Sequence, residues 1–239
     1  MRISLLTIVS IFLTAFIYSC NSSDAGKKAI NEKVADVIEE IENVADVPIP
    51  ELYKGMAESP NNKLGGLKVG DVAPNIVATL SSGATFDLNS ELKAGPIAVI
   101  FYRGFWCPKC TRHLEALQGE MAELKERGLR IYAVTPEKDE YIAKTKEKST
   151  IEIPFIHDQA HKIMDAYKVT YKVTDEYEEG LGGFAGVGLA ESHGATDAYL
   201  PVPATYLIGQ DGKIIYAHYN HDYGKRASAS NMLAALNSI

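Results

Sequence analysis

Cysteine is scarce in this chain, and it has no excess of positive charge. The 239 residues include three cysteines and one tryptophan, and 31 acidic against 24 basic side chains give a formal net charge of −7. An acidic chain without a lysine- or arginine-rich run is poorly suited to nucleic acid, whose phosphates attract clustered positive charge. No internal repeat is visible, and a hydrophobic content of 46% suits one globular domain with a core plus appendages.

A strongly apolar run lies at the very start of the chain. Met1 and Arg2 precede the almost wholly apolar stretch 3–17, which is too short and too close to the terminus for a stable membrane span and indicates a signal peptide. Ser19 directly before Cys20 is similar to a bacterial lipoprotein processing site, where the cysteine is lipidated and becomes the first mature residue. This resemblance implies an exported, periplasm-facing protein anchored to a bacterial membrane through Cys20. An uncleaved N-terminal anchor remains an alternative.

The other two cysteines, Cys107 and Cys110, lie where a buried strand is expected to lead into a helix. If Pro108 is the first helical residue, Cys107 lies at or near the N-cap, where unpaired amides and the helix dipole favour thiolate over thiol. Lys109 adds a positive charge. The thiolate is the attacking species, and Cys110 is close enough to form a disulfide with Cys107. In an exported protein with no other free thiol, the pair predicts one redox site.

Structural and metal-binding roles for this pair are the weaker alternatives. A disulfide across so short a loop stabilises a fold by only about 2 kcal/mol in the loop-entropy model. Zinc would have Cys107, Cys110 and His113 as three ligands, with His157 and His161 as a further pair, but a structural zinc site takes four ligands, usually at tighter spacing. Haem attachment requires a histidine directly after the second cysteine, and this chain has a threonine there.

The sequence divides into three parts: a lipoprotein signal segment at 1–20, a tether, amphipathic helix and linker at 21–64, and one folded domain at 65–239. The patterns predict, in chain order, a β-hairpin over 75–80 and 85–88, a strand over 96–102, a helix over 108–127, a strand over 129–135, a helix over 138–148, a short strand over 155–157, a short helix over 159–168, a hairpin over 204–208 and 213–219, and a helix over 225–239. Alternating strands and helices specify an α/β sheet covered on both faces.

The stretch 168–200 has an irregular pattern and a glycine-rich piece, 180–188. We expect an inserted loop here that folds over the active site. Residues 180–185 formally fit a dinucleotide-binding fingerprint, but they do not follow a strand, so the helix N-terminus that would bind the pyrophosphate is missing. The proposed chemistry requires no metal, flavin or nucleotide.

Two motifs resemble those of peroxiredoxin-like proteins in the alkyl hydroperoxide reductase/thiol-specific antioxidant superfamily. They are FYRGFWCPKC at 101–110 and LPVPATYLI at 200–208, and the resemblance covers roughly 70–226. It implies a thioredoxin-like α/β fold, with a central mixed sheet flanked by helices, an N-terminal hairpin, and an inserted loop before the strand that follows a cis-proline. That proline is Pro203, facing the cysteine pair.

The resemblance also implies a catalytic cycle. A Cys107 thiolate attacks a peroxide and becomes a sulfenic acid, and Cys110 condenses with it to form a disulfide. An external dithiol or thioredoxin-like reductant then reduces that bond. Arg226 is placed near the same end of the sheet, where it supplies positive charge to the thiolate. The remaining active-site environment is predicted to be Arg103, Trp106, Pro108 and Lys109, with the tryptophan packed under the loop.

Two departures from the family pattern keep rival functions open. Typical peroxiredoxins have a threonine or serine three residues before the peroxidatic cysteine and a proline seven before it, where this chain has Gly104 and Ile100. The first rival is a periplasmic thiol–disulfide reductase acting on protein disulfides. An exposed apolar groove beside Trp106 and Pro203 would favour it, and a narrow, covered pocket would favour peroxide. The second rival is a non-enzymatic lipoprotein that binds a partner or a metal.

Overall fold

The computed structural model of the chain describes residues 65–148 and 151–237. The signal segment, Cys20, the tether and the amphipathic helix predicted before residue 65 lie outside the described residues. Within the described part of the chain, no helix is both long and apolar enough to cross a membrane.

Strands and helices alternate along the described ranges. The strands are β1 (Val77–Thr79), β2 (Thr85–Asp87), β3 (Ile97–Phe101), β4 (Arg130–Thr135), β5 (Phe155–His157), β6 (Thr170–Lys172), β7 (Tyr199–Pro201), β8 (Ala204–Ile208) and β9 (Ile214–Tyr219). The helices are α1 (Leu88–Glu91), α2 (Pro108–Gly119), α3 (Met121–Glu126), α4 (Asp139–Lys148), α5 (Lys162–Ala166), α6 (Asp175–Ala185), α7 (Leu189–His193) and α8 (Ala229–Leu236), with a short 3₁₀ turn at Leu92–Ala94.

The main sheet has five strands in the order β5-β4-β3-β8-β9. β3 runs parallel to β4 and antiparallel to β8, so the sheet is mixed. Every residue of β3 is buried, and its side chains alternate between the two faces. Ala98 and Ile100 join one apolar core, and Ile97, Val99 and Phe101 join the other. The predicted α/β sheet with a buried core on each face is confirmed.

The predicted helix over 108–127 is wrong in one respect, because the structure divides it into α2 and α3. The break lies at Glu120, whose φ of −99° and ψ of 7° are not helical, directly after Gly119. Glycine is the weakest helix former after proline, so the chain bends there at little cost. The final helix begins later than predicted because Ser228 caps it, and the side chain of Ser228 accepts the N–H of Asn231.

The predicted loop over 168–200 is also wrong, because this stretch forms β6, α6, α7 and β7. α6 begins where the Thr174 side chain accepts the N–H of Tyr177, and acidic residues occupy its first turn. Both features stabilise a helix N-terminus and offset the poor helix propensity of the internal glycines. The helix ends at Gly186, whose φ of 71° is left-handed. The dinucleotide-like pattern therefore lies inside a helix and forms no phosphate-binding loop.

The expected cis bond before Pro203 is likewise wrong, because no cis peptide bond occurs among the described residues. With the peptide bond before Pro203 in the trans form, the backbone on each side of this bond makes a hydrogen bond. The Val202 N–H donates to the Val169 carbonyl at 2.8 Å, and the Pro203 carbonyl accepts the Asn220 N–H at 3.4 Å. A trans bond before proline is ordinarily preferred by about 0.5–1 kcal/mol, and nothing in this pairing opposes it.

Candidate active site

Cys107 and Cys110 lie beyond the C-terminal end of the central strand β3. Cys107 is the N-cap of α2, and Pro108 is the first residue of this helix, as expected. The Cys107 carbonyl accepts the N–H groups of Cys110 and Thr111 at 3.0 and 3.1 Å. The Cys107 side chain makes no capping hydrogen bond, so its sulfur is not held by the helix amides. Backbone hydrogen bonds therefore fix the loop, whereas the environment of the Cys107 sulfur is set by neighbouring side chains.

Both cysteines are free thiols and both are buried. Their exposed fractions are 2% for Cys107 and 0% for Cys110, and the neighbouring Trp106 is only 6% exposed. Pro203 is buried as well. Its neighbour Ala204 pairs with the last residue of β3, so Pro203 lies at the same end of the sheet as the cysteines. Within the described residues, Trp106, Pro203 and both cysteines are therefore all covered, which differs from the exposed apolar surface that a protein-disulfide substrate would need.

Two arginines supply the positive charge at the sulfurs. The guanidinium Nη2 of Arg226 donates to the Cys110 sulfur at 3.3 Å. The backbone N–H of Arg103 also donates to Cys110, and the charged groups of both arginines act on both thiols. Lys109 is only half-buried, and Pro108 is exposed. The predicted charge from Lys109 is therefore secondary to that of the two arginines.

A hydrogen bond between the two thiols couples their ionisation, so that the negative charge of one opposes ionisation of the other. Burial raises the pKa of Cys107 well above its ordinary value, and the hydrogen bond and negative charge of Cys110 raise it further. Burial also opposes ionisation of Cys110, but the hydrogen bond from Cys107 and the charge of Arg226 together lower the pKa of Cys110 to about 5. The pair therefore loses its first proton below neutral pH and retains the second.

This distribution of charge differs from the expected Cys107 thiolate. A helix N-terminus contributes about half an elementary charge. Arg226 brings a full charge into contact with Cys110, so the negative charge rests mainly on that sulfur. Cys107 is the N-cap of α2, as the sequence indicates, but the stronger charge at the pair belongs to Arg226, which lies far away along the chain.

The side chain of Arg103 is enclosed by aromatic rings. Its guanidinium carbon lies 4.9 Å from the ring centre of Trp106, 5.8 Å from that of Tyr177 and 5.1 Å from that of Tyr223. Its Nη2 also donates to the Tyr177 hydroxyl. These cation–π contacts hold a 4% exposed cation beside the cysteines. Because Tyr177 belongs to α6, this helix covers the site from one side.

Gly104 shows why a hydroxyl-bearing residue is absent three positions before Cys107. Its φ is 152°, and a Cβ atom placed there would lie 2.6 Å from Trp106 Nε1 and 2.7 Å from the carboxyl carbon of Glu137. The same buried carboxylate accepts the Phe105 N–H at 2.9 Å through its Oε2. Glu137 and Trp106 thus occupy the space that a threonine side chain would need.

The zinc alternative has little geometric support. His113 is buried, and its Nε2 lies 2.7 Å from the Ala227 carbonyl oxygen, to which it is hydrogen-bonded. Across 65–148 and 151–237, no three histidine, cysteine or acidic side chains are arranged to hold a metal ion.

Glu137, Tyr177 and Tyr223 are the site residues that sequence reasoning missed. Glu137 had a usable signal, because it follows the parallel strand β4, whose C-terminal end meets that of β3. The two tyrosines had none. They reach Arg103 only because α6 and the segment after β9 fold back over the site.

A mixed sheet whose central strand leads into a helix carrying two paired thiols at its N-terminus defines a thioredoxin-like dithiol protein. Residues 69–217 match the AhpC/TSA family, and the chain belongs to that family. The resemblance identified from the two motifs is confirmed.

Individual relatives agree with this assignment. The chain is 26% identical to peroxiredoxin Bcp of Escherichia coli over 103 residues, which cover 43% of this chain and 65% of Bcp. It is 23% identical over 152 residues to the thiol-disulfide oxidoreductase ResA of Halalkalibacterium halodurans, covering 63% of this chain and 68% of ResA. The crystal structure of peroxidoxin BcpB from Mycobacterium tuberculosis, 19% identical, matches with a TM-score of 0.56 over 72% of this chain and 98% of that one. The predicted thioredoxin-like fold is confirmed.

Proposed function

We propose that this protein is a thiol peroxidase that reduces a small peroxide at the Cys107–Cys110 pair. The observation that carries the proposal is the covered dithiol, buried to 2% and 0% exposure, with its coupled ionisation and its arginine partner. A low first pKa supplies a reactive thiolate at neutral pH. A covered site favours a small substrate over a protein disulfide, whose flanking chain would need an open groove.

The reaction begins at Cys107, the less deeply buried residue of the pair. Its proton passes to Cys110 along the hydrogen bond between them, and the Cys107 thiolate attacks one peroxide oxygen. The O–O bond breaks, the attacked oxygen remains on sulfur as a sulfenic acid, and the departing alkoxide or hydroxide takes the proton from Cys110, which becomes a thiolate again. Arg103 and Arg226 supply the positive charge that stabilises the developing oxyanion.

Cys110 then resolves the sulfenic acid. Its thiolate attacks the Cys107 sulfur, the S–O bond breaks, and the oxygen leaves as hydroxide, which solvent protonates to water, while the Cys107–Cys110 disulfide forms. An external dithiol, such as a thioredoxin-like protein, attacks this disulfide and is itself oxidised, which returns both thiols. Two electrons thus pass from the external dithiol to the peroxide.

Stopped-flow fluorescence of the reduced protein mixed with hydrogen peroxide tests this proposal. Trp106 is the only tryptophan and directly precedes Cys107, so it should report oxidation. We expect a second-order signal much faster than for a free thiol, abolished in Cys107→Ser and unchanged in the control Cys20→Ser. Cys110→Ser should still form a sulfenic acid, trapped by dimedone, but no disulfide. Oxidation at the rate of a free thiol would refute the proposal.

A thiol-disulfide oxidoreductase is the second candidate function. It is favoured by the Cys-x-x-Cys pair, by the absence of a hydroxyl at Gly104 and by the similarity to ResA. Rapid reduction of a protein disulfide such as that of insulin, together with slow peroxide oxidation, would establish this function instead. Inactivity of the wild type in both assays would favour a non-enzymatic role.

We further propose that the protein is exported and anchored to a bacterial membrane, facing the periplasm, through lipid on Cys20. The support is the apolar segment 3–17 and the small residue Ser19 before the cysteine. Growth with an alkyne-labelled fatty acid should label the wild-type protein and place it in the membrane fraction. Cys20→Ser should lose the label, and a labelled Cys20→Ser protein would contradict the assignment.

A further inference from the structure

Arg226 reaches the Cys110 sulfur from the irregular segment between β9 and α8, so its position depends on what holds that segment. The next residue, Ala227, is 1% exposed, and its carbonyl oxygen lies 2.7 Å from the Nε2 of His113. His113 is itself 9% exposed and belongs to α2. The hydrogen bond joins two parts of the chain 114 residues apart, one of which bears Cys110 and the other Arg226.

Cys110 and His113 are three positions apart on one helix, and side chains at this spacing lie on the same face. The helix therefore fixes the distance between the sulfur and the imidazole. The imidazole in turn fixes the carbonyl that follows Arg226. The segment has two further contacts, one before Arg226 and one after Ala227. The Lys225 carbonyl oxygen is hydrogen-bonded to the exposed His218, and Ser228 caps α8.

His113 acts as a neutral donor in this arrangement. A carbonyl oxygen only accepts, so Nε2 carries the hydrogen. Burial lowers the pKa of His113 to about 4, and although the hydrogen bond to Ala227 opposes this, the charge of Arg226 lowers the pKa further. At neutral pH the imidazole therefore adds no second cation beside Arg226 and contributes a hydrogen bond alone.

We propose that His113 is a positioning residue that holds the 226–227 backbone so that the Arg226 guanidinium meets the Cys110 sulfur. The inference concerns the dithiol of the proposed function but does not depend on which oxidant that dithiol reduces. A histidine that only filled space would contribute to folding without affecting the thiols. A positioning histidine must affect them, and it must do so through Arg226.

Iodoacetamide alkylation of the reduced full chain, followed against pH in a Cys20→Ser background, separates these roles. In the parent we expect a reactivity midpoint near pH 5, from the pKa of Cys110. Arg226→Gln should raise it by about one pH unit or more, because an ion pair contributes about that much to an ionised group. His113→Leu should raise it similarly, whereas His113→Gln, whose side-chain amide reaches the same place as Nε2, should restore the parental midpoint.

The double variant His113→Leu/Arg226→Gln gives the decisive comparison. If His113 acts through Arg226, the double variant should have the midpoint of Arg226→Gln alone. Additive shifts, or an unchanged midpoint in folded His113→Leu, would overturn the proposal. If the leucine variant does not fold, His113→Asn replaces it, because its shorter amide cannot reach the Ala227 carbonyl and should raise the midpoint too. No peroxide is used, so failure of the peroxidase proposal would be seen separately, in the stopped-flow assay.

Discussion

The substitution Gly104→Ala tests whether Glu137 and Trp106 set the shape of the loop that carries Cys107. The added Cβ would lie 2.6 Å from Trp106 Nε1 and 2.7 Å from the Glu137 carboxyl carbon. Ordinary contacts between such atoms are about 3.5–4.0 Å, so the neighbours must move. Both neighbours are buried, and the φ of 152° at this position disfavours any side chain.

Two costs determine the size of the effect. A residue held in a backbone region that favours glycine costs about 1–3 kcal/mol. Overpacking a dense interior costs about another 1–3 kcal/mol. The middle of the combined range is about 4 kcal/mol, and each kcal/mol lowers the Tm of a domain of this size by about 2–4 °C. We therefore expect Gly104→Ala to melt about 8–16 °C below the wild type, with slower peroxide oxidation because Cys107 is displaced.

Thermal unfolding of the reduced protein, followed by circular dichroism, measures this effect. Gly119→Ala is the matched control, because an added Cβ there meets no atom within 4 Å. Since this glycine ends a helix, alanine should leave the Tm unchanged or raise it by the equivalent of up to about 1 kcal/mol. A Gly104→Ala protein that melts within about 2 °C of the wild type would refute the argument, because it would put the cost below about 1 kcal/mol.

Three further predictions concern buried groups of the same domain. His193 is fully buried, neither ring nitrogen has a hydrogen-bond partner among the residues that the structure describes, and burial lowers its pKa to about 3. Below about pH 6.5 the unfolded chain binds a proton at this histidine and the folded protein does not, which lowers the free energy of unfolding by about 2 kcal/mol at pH 5. In His193→Leu this loss should disappear, which urea unfolding at pH 7 and at pH 5 would measure. In the reduced protein, the lowered pKa of Cys110 should make stability rise between about pH 5 and about pH 8.5, because the unfolded thiols keep a proton that the folded pair has lost. In Cys110→Ser the free energy of unfolding should change much less over this pH range. A change as large as in the wild type would contradict the lowered pKa of Cys110. Tyr177→Phe removes the hydroxyl that accepts from Arg103, so it should lower stability by about 1 kcal/mol and speed alkylation of the thiols. Unchanged alkylation would show that this hydrogen bond does not restrict access to them.

The parts of the fold that were predictable from the sequence are those with strong local signals. β3 is apolar throughout, and a strand buried on both faces requires this. Pro108 marks the start of α2 because proline is favoured at the first helical position. The hairpin between β8 and β9 follows from the Asp211–Gly212 turn, with Gly212 at a φ of 79°.

The parts that were not predictable depend on contacts between distant segments. α6 contains three glycines, whose low helix propensity disfavours a helix at this position. The capping of its N-terminus and its packing over Arg103 outweigh that propensity. The location of the charge in the dithiol has the same origin. Sequence reasoning placed it on Cys107 from the adjacent helix end, whereas the structure brings a full charge to Cys110 from the far end of the domain.

The long separation between Cys110 and Arg226 also links the reactivity of the thiols to the order in which the chain is made. The two residues are 116 positions apart, and the guanidinium belongs to a segment that follows the last strand of the sheet. A nascent or truncated chain that ends before β9 has both cysteines and Arg103 but lacks Arg226, so we expect its thiols to be less acidic than those of the folded domain. We therefore expect the dithiol to reach its full acidity only after the segment that follows β9 has been made and has folded onto the helix that carries Cys110.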